Sequence, residues 1–384
     1  MKTHRNNAKA LLCCTISFLF SQLSHAQNTD SVESRWKNYI DLKSYSVPFW
    51  KADTITDEIT QVIKVNGLST STLLFRAKKV LSVKAANYNK VYKQGTDWTY
   101  TGGKLRIKPG SSIPFIKKED LVYTTDKPGW SMTGKAPGTF VLFSESTFFN
   151  KMQIAVTYIP EHGQLWKGPV PVFAAKNLPN TLSKLTGKQD LKVVFYGNSI
   201  ETGCNSSGFQ NSPPYMPSWP ELIVYNLRKE YGPQVIFANP SVGGKLAEWG
   251  KEEAATRVVP EKPDLVIIGF GMNDGTANIT PDKYRNDIKS IINAVTAQNP
   301  NAEFILIAPM LPNPDAVQNG LQNLYKAELD KLCKKGTIVA DLTGVHRELL
   351  KHKTYQDMTG NNVNHPNDYL ARWYAQYICG FLIK

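Results

Sequence analysis

Cysteine is scarce in this chain of 384 residues, which has five. Cys13 and Cys14 lie in the first segment, so Cys204, Cys333 and Cys379 allow at most one internal disulfide bond. A small fold held by disulfides is therefore excluded. With 41% hydrophobic and 20% charged residues the composition is that of a folded globular protein, and the length suggests two domains.

The sequence also lacks the common motifs of metal and nucleotide enzymes. It has no His-Glu-x-x-His, no Cys-x-x-Cys and no P-loop. The segment Gly269-Phe270-Gly271-Met272-Asn273-Asp274 lacks the final glycine of a dinucleotide fingerprint. None of these motifs therefore assigns a function to the chain.

No apolar run is long enough to cross a bilayer. A basic segment precedes a short apolar stretch over residues 10–20, and Ser24-His25-Ala26 offers the small-x-small site that a signal peptidase needs. We therefore predict a signal peptide over residues 1–26. The mature protein is expected to be secreted, either periplasmic or extracellular, with no stable membrane insertion.

Negative charge is in deficit, and the formal net charge is +13. The lysines and arginines are spread along the chain rather than clustered, and export argues against nucleic acid as a partner. We interpret the basic charge mainly as an aid to solubility.

Residues 28–185 have the pattern of an all-β domain. Apolar and polar residues alternate over residues 152–158, and two strand-like arms flank Gly102-Gly103, a pair that favours a tight hairpin turn. Many short strands with glycine and proline between them predict a β-sandwich or jelly roll.

After a connecting segment rich in proline and glycine, residues 190–384 have a different pattern of apolar and polar residues. Nearly continuous apolar runs predict strands buried on both faces, hence a parallel sheet. These five runs cover residues 191–196, 235–238, 265–270, 304–308 and 338–340. Helical patterns lie between them, and the last helix is expected to be capped by Asn367 or Asp368. We predict a doubly wound α/β domain, which binds ligands beyond the carboxyl ends of its strands.

The first predicted strand of this domain is followed by a candidate nucleophile, Ser199 in Gly197-Asn198-Ser199. A serine in a strand-to-helix turn can present its hydroxyl to a substrate carbonyl. His365, held in an extended entry to the last helix by the following proline, is the candidate general base. A nucleophile beside a base is the minimum that a serine esterase requires.

Candidate oxyanion donors follow the second and third strands. Gly243 and Gly244 follow the second, where a glycine lets a backbone N–H approach the substrate, and either could be the donor. Asn273 follows the third and offers a side-chain amide. Taken singly, Ser199 could be a helix N-cap, the two glycines could form a turn, and Asn273 could be a turn or cap residue. Their order after successive strands favours the catalytic interpretation.

On these motifs, residues from about 191 to 384 resemble the SGNH hydrolase (GDSL esterase) superfamily. Gly197-Asn198-Ser199 is similar to its first block, Gly244 or Gly243 to the second, Gly271-Met272-Asn273-Asp274 to the third, and His365 to the last. The resemblance implies a flavodoxin-like fold with a five-stranded parallel sheet between helices. It also implies an acyl-enzyme mechanism, with an oxyanion hole from the Ser199 and Gly244 backbone N–H groups and the Asn273 side chain, and neither metal nor organic cofactor.

The order of domains is similar to that of bacterial carbohydrate acetyl esterases with an N-terminal jelly roll. This implies an acetylated oligosaccharide or polysaccharide as substrate. A non-catalytic glycan-binding protein and a lipase or thioesterase of the same fold remain as alternatives. An α/β-hydrolase does not fit, because its elbow needs glycine where this chain has Glu201.

Two asparagines depart from the family pattern. Asn198 and Asn362 each stand where an aspartate is usual, and the second of these aspartates orients the catalytic histidine. In its absence, either the side-chain oxygen of Asn362 or a backbone carbonyl is expected to orient His365. We favour the carbonyl, since the amide oxygen competes with its own NH₂ group for the same position. Asp357 and Asp368 are further carboxylates that could raise the pKa of the His365 imidazole.

Overall fold

The computed structural model describes residues 35–384. The predicted signal peptide lies outside the described residues and stays a prediction. Among the described residues, no helix is long and apolar enough to cross a membrane. Cys204, Cys333 and Cys379 are all free thiols.

The N-terminal part consists mainly of short strands. A 3₁₀ helix (Arg35–Asn38) and helix α1 (Leu42–Tyr45) come first, and helix α2 (Phe148–Met152) precedes the last strand. The strands are β1 (Ile55–Gln61), β2 (Ile63–Val65), β3 (Leu68–Thr72), β4 (Ala77–Ala85), β5 (Val91–Tyr92), β6 (Trp98–Thr101), β7 (Lys104–Ile107), β8 (Ile116–Lys117), β9 (Val122–Tyr123), β10 (Ser131–Thr133), β11 (Phe140–Leu142) and β12 (Gln153–Pro160). A second 3₁₀ helix covers Lys118–Asp120.

Within residues 35–174, these strands form three separate sheets. Their orders are β1-β12-β4-β5, β6-β7-β3-β2-β8 and β10-β11-β9, and all pairings are antiparallel except that of β2 with β8. The expected hairpin is present as β6 and β7, joined by Gly102 and Gly103, which both have positive φ. The all-β prediction is confirmed, whereas the jelly-roll topology stays a prediction.

Residues 191–341 contain a five-stranded parallel sheet, as predicted. Its strands are β13 (Leu191–Gly197), β14 (Val235–Ala238), β15 (Leu265–Gly269), β16 (Glu303–Ala308) and β17 (Thr337–Asp341). Their order, β14-β13-β15-β16-β17, is that of a flavodoxin-like sheet. The direction of winding reverses between β13 and β15, so the loops after these two strands open the crevice where such folds bind ligands.

Helices cover both faces of this sheet. They are α3 (Pro179–Thr186), α4 (Ser199–Thr202), α5 (Trp219–Tyr231), α6 (Ala247–Arg257), α7 (Met272–Thr276), α8 (Pro281–Gln298), α9 (Tyr325–Asp330), α10 (Leu342–Leu349) and α11 (Asp368–Leu382). Short 3₁₀ helices cover Val259–Glu261, Gln322–Leu324 and Tyr355–Asp357. Alternate residues of β13 enter different cores: Val193 packs with α5 and α11, and Val194 packs with α6 and α8.

The last helix joins the parallel sheet to the N-terminal strands. Asn367 caps α11 by accepting the N–H groups of Tyr369 and Leu370, as its position predicted. Trp373 packs on Phe49 with ring centroids 5.1 Å apart, and the buried guanidinium of Arg372 donates to the Thr56 carbonyl at 2.8 Å. Residues 35–384 accordingly form one compact unit.

Candidate active site

Ser199 lies at the carboxyl end of β13, as the first residue of α4. Asn198 is the N-cap: its side-chain oxygen accepts the Ile200 N–H at 3.0 Å, while Glu201 reaches back to the Asn198 N–H at 2.9 Å. This capping box fixes the turn that presents the serine. Asn198 therefore has a structural role here.

Glu201 fills the space beneath the serine turn. A Cβ on Gly197 would come within 2.4 Å of its carboxyl, and a Cβ on Gly269 within 2.2 Å. Burial raises the pKa of Glu201 to about 8, although N–H groups that donate to the carboxylate oppose the shift. The residue that rules out an α/β-hydrolase elbow thus supports this turn.

His365 faces the serine hydroxyl. Its Nε2 lies 2.8 Å from Ser199 Oγ, and each residue is 8% exposed, so the pair borders solvent without being open to it. The side-chain oxygen of Asn361 accepts the backbone N–H groups of Val363, Asn364 and His365 at 2.9 to 3.1 Å. This turn holds the histidine in place, and the structure therefore brings together the two residues proposed as nucleophile and base.

The other imidazole nitrogen contacts two residues that the sequence did not single out. Nδ1 of His365 lies 2.6 Å from Asn205 Oδ1 and 3.3 Å from Glu145 Oε2. The expectation that a backbone carbonyl orients the histidine is wrong for this structure, because the asparagine side chain takes that position. Glu145 follows β11, so it comes from the N-terminal strands.

Asn362, the side chain considered for orienting His365, and the two carboxylates considered near its imidazole all form hydrogen bonds elsewhere. The buried Asn362 side chain donates to the Leu142 carbonyl at 2.8 Å and accepts from Gln356 at 2.9 Å. Asp357 accepts the Gln61 N–H, and Asp368 accepts the Ser207 N–H at 2.8 Å. None of these side chains is hydrogen-bonded to the imidazole.

The two glycines after β14 differ in their relation to the serine. A Cβ on Gly243 would lie 3.7 Å from Ser199 Cβ, whereas Gly244 has a φ of +78° and open space around it. Among the described residues, the N–H groups of Ser199, Gly243 and Gly244 have no hydrogen-bond acceptor, so both glycines stay candidates for the second donor. Unpaired N–H donors on the serine and on the glycines that follow β14 suit a developing negative charge.

Asn273 lies in α7, after β15. Its Nδ2 donates to the Lys245 carbonyl at 3.0 Å, which leaves its second amide hydrogen free. The next residue, Asp274, accepts the N–H groups of Gly271 and Ala247, each at 2.9 Å. Hydrogen bonds thus join the loop after β14 to the loop after β15, and these two loops carry the candidate glycine and Asn273 donors.

Glu145 contributes a negative charge at the rim of the site. Its side chain is 51% exposed. Burial raises the pKa of its carboxyl, but hydrogen bonding and charge interaction with His365, together with hydrogen bonds from Asn361 and Asn205, lower it below its usual value overall. The nearby Cys204 thiol is neutral at ordinary pH, because burial raises its pKa to about 11.

Part of the chain matches a known protein family. Residues 195–372 match the model of the GDSL-like Lipase/Acylhydrolase family. An arylesterase of Vibrio mimicus is 28% identical over 116 residues, which cover 30% of this chain and 54% of the arylesterase. The chain therefore spans about half the length of that relative.

Solved structures of similar fold include esterases of carbohydrate. A two-domain esterase active on acetylated mannans, co-crystallised with mannopentaose, is 19% identical with a TM-score of 0.44, over 56% of this chain and 55% of its own. An acetylxylan esterase from Geobacillus stearothermophilus is 17% identical with a TM-score of 0.41, over 50% of this chain and 94% of its own. At these identities and TM-scores they do not bear on the substrate of this chain.

Proposed function

We propose that this protein is a serine esterase with Ser199 as nucleophile, since residues 195–372 match the model of the GDSL-like Lipase/Acylhydrolase family. The observation that carries the proposal is the 2.8 Å contact between Ser199 Oγ and His365 Nε2 at the carboxyl end of β13. That contact lies at the switch point of the sheet, where ligands bind in this fold.

In the first half of the reaction, Ser199 Oγ attacks the ester carbonyl carbon and His365 Nε2 takes the hydroxyl proton. The carbonyl oxygen becomes an oxyanion, which accepts hydrogen bonds from the Ser199 and Gly244 N–H groups and from Asn273 Nδ2. When the tetrahedral intermediate collapses, the bond to the alcohol oxygen breaks and His365 returns the proton to the departing alcohol. The acyl group remains on the serine.

In the second half, His365 removes a proton from water, and the water oxygen attacks the acyl-serine carbonyl. The same donors hold the second oxyanion. Its collapse breaks the bond to Ser199 Oγ, which recovers its proton from Nε2, and the free carboxylic acid leaves.

The substrate we propose is an acetylated carbohydrate. Trp130 supports this, since the residue is 45% exposed and its backbone carbonyl accepts the N–H of Phe143, which lies two residues before Glu145. A part-exposed aromatic ring on a strand bonded to the segment that carries Glu145 would give a sugar ring a surface on which to stack. Export of the protein, predicted from residues 1–26, would place the enzyme where polysaccharide occurs.

Ser199→Ala tests the nucleophile. It should remove nearly all hydrolysis of p-nitrophenyl acetate while leaving the circular dichroism and melting curve unchanged, because the lost hydroxyl contributes little to packing. Ser69→Ala is the matched control, since Ser69 also follows a Gly-x pair but lies on β3. A Ser199→Ala protein that keeps a tenth of wild-type turnover would place the nucleophile elsewhere.

A substrate panel tests the acyl and alcohol groups separately. Acetate release from acetylated xylan, mannan and pectin should exceed the turnover of p-nitrophenyl esters with chains of eight or more carbons. The reverse order would indicate a lipase. Binding of glycan with no turnover of any ester would indicate the non-catalytic alternative.

A further inference from the structure

We propose that Asn205 and Glu145 act together as positioning residues for His365, in place of the single carboxylate of a serine–histidine–aspartate triad. The inference rests on the proposed function, because it assumes that His365 is the base. The two residues come from different parts of the fold: Asn205 follows α4, and Glu145 follows β11 of the N-terminal strands. The catalytic machinery would then span both parts of the chain.

Asn205 fixes which imidazole nitrogen carries the proton. Its Nδ2 faces two backbone carbonyls, that of Gly360 at 3.4 Å and that of Glu145 at 3.5 Å, and a carbonyl only accepts hydrogen bonds. Its Oδ1 must therefore face the imidazole, as it does at 2.6 Å. An amide oxygen also only accepts, so Nδ1 of His365 carries the hydrogen. Nε2 is left as the acceptor that the serine hydroxyl requires.

A neutral amide cannot supply the charge that stabilises the imidazolium formed during the reaction. Glu145 can, because its Oε2 lies 3.3 Å from Nδ1. At this distance Glu145 acts mainly through its charge, while Asn205 makes the shorter hydrogen bond. The aspartate of a usual triad performs both tasks with one group.

Glu145 is held in position from both sides. Its Oε1 accepts from Asn361 Nδ2 at 3.0 Å, and Asn361 also builds the turn that carries His365. The backbone carbonyls of Glu145 and Ser146 accept from Gln210 Nε2 at 3.1 and 3.0 Å. A half-exposed side chain with these anchors has less freedom to turn away than an isolated surface carboxylate.

Other ionisable groups near His365 do not supply this charge. The Cys204 thiol is neutral, as described above, and the Asp368 carboxyl accepts the Ser207 N–H. Glu201 lies beneath the serine turn, with its carboxyl accepting the Asn198 N–H. Among the described residues, Glu145 is the carboxylate that lies within ion-pairing distance of this imidazole, so it would pair with the ring once the ring is protonated.

The test compares Glu145→Gln with Asn205→Ala in the mature protein. Glu145→Gln should lower kcat about tenfold or more, with KM little changed. It should also move the acid limb of the kcat/KM profile to lower pH by about half a unit to one unit, since a nearby opposite charge favours the protonated imidazole and solvent weakens that effect here. Asn205→Ala should lower kcat by about a hundredfold or more, because the ring loses its fixed tautomer.

Three controls separate positioning from folding. Glu119→Gln removes an exposed carboxylate from the same N-terminal part and should leave both kcat and the pH profile unchanged. Glu145→Asp should recover part of the activity and return the acid limb toward that of the wild type. Raising the salt concentration should move the acid limb of the wild type but not that of Glu145→Gln, because salt screens a half-exposed charge.

A nitrogen-detected NMR titration of His365, assigned with His365→Ala, gives a readout that does not need turnover. It should find the hydrogen on Nδ1 in the wild type and a midpoint that falls in Glu145→Gln. If neither the NMR midpoint of His365 nor the acid limb of the kcat/KM profile moves in Glu145→Gln, the proposed role of Glu145 is wrong. A threefold loss or less in Asn205→Ala would overturn that of Asn205. If NMR finds the hydrogen on Nδ1 and the lowered midpoint in Glu145→Gln, but the wild type hydrolyses no ester, the proposed function is wrong. The positioning of His365 by Asn205 and Glu145 is then still supported.

Discussion

Replacing Asn362 with aspartate would restore the usual family motif in sequence, yet the structure predicts that it harms the protein. The Asn362 side chain is fully buried and donates its Nδ2 hydrogen to the Leu142 carbonyl at 2.8 Å. Its Oδ1 accepts from Gln356 at 2.9 Å and from Asn313 at 3.3 Å. An ionised carboxylate keeps the two acceptor contacts but turns an oxygen toward the Leu142 carbonyl.

The loss of stability follows from these contacts. An unsatisfied buried acceptor costs about 1–3 kcal/mol, and burying the charge adds to this. We therefore expect Asn362→Asp to lower the free energy of unfolding by about 2–4 kcal/mol at neutral pH. With an unfolding entropy of about 2.1 cal/mol/K per residue over the described unit, this corresponds to a Tm about 3–5 °C lower.

The pH dependence of this loss has a definite sign. Burial raises the pKa of the introduced carboxyl above its unfolded value of about 3.9. Below that value the group is protonated in both states and can donate to Leu142, so Asn362→Asp should be close to wild type. The loss of stability should grow as the pH rises and level off above the folded pKa.

Melting curves from pH 4 to 8, with kcat/KM profiles at the same points, measure both effects. Asn278→Asp is the matched control, because Asn278 has a similar φ of 55° but is exposed. Since His365 keeps its contacts to Asn205 and Glu145, the acid limb should stay within about 0.3 pH units of wild type. A more active Asn362→Asp protein with the limb shifted to higher pH would show that position 362 reaches the imidazole after all.

Two further substitutions test the oxyanion donors and the substrate surface. Asn273→Ala should lower kcat on p-nitrophenyl acetate by about a hundredfold or more with little change in KM, because the amide acts mainly on the charged transition state. A raised KM with an unchanged kcat would instead make Asn273 a binding residue. Trp130→Ala should raise KM for acetylated polysaccharide about three- to tenfold and leave the hydrolysis of p-nitrophenyl acetate unchanged. Equal effects on both substrates would count against stacking of a sugar ring on Trp130.

The parts of the fold that repeat a simple pattern were predictable from the sequence. The five apolar runs became the five strands of the parallel sheet, since strands buried on both faces tolerate little polarity. Asn367 caps α11 because a side-chain oxygen at that position reaches the first free N–H groups. Ser199 and His365 were found through their places after a strand and before the last helix.

The residues that orient His365 were not predictable in the same way. Glu145 lies 220 residues before His365 in the chain, and nothing in its local sequence marks it as different from the other acidic residues. Asn205 is close to Ser199 in sequence, but an asparagine after a short helix usually indicates a turn. Only the packing of the 121–146 segment against the histidine loop gives these side chains their shared contact.

This packing makes the N-terminal strands part of the site. Lys353 and Glu58 form an ion pair with both side chains fully buried, and Glu58 also accepts from the Tyr158 hydroxyl at 2.7 Å. Removing one partner of such a pair would leave a buried charge uncompensated. Asn362 makes a second contact between the two parts of the chain, because its side chain donates a hydrogen bond from the histidine turn to the Leu142 carbonyl of β11. An asparagine that binds the two parts of the chain together cannot also orient the base, and this explains why that task falls to Asn205 and Glu145.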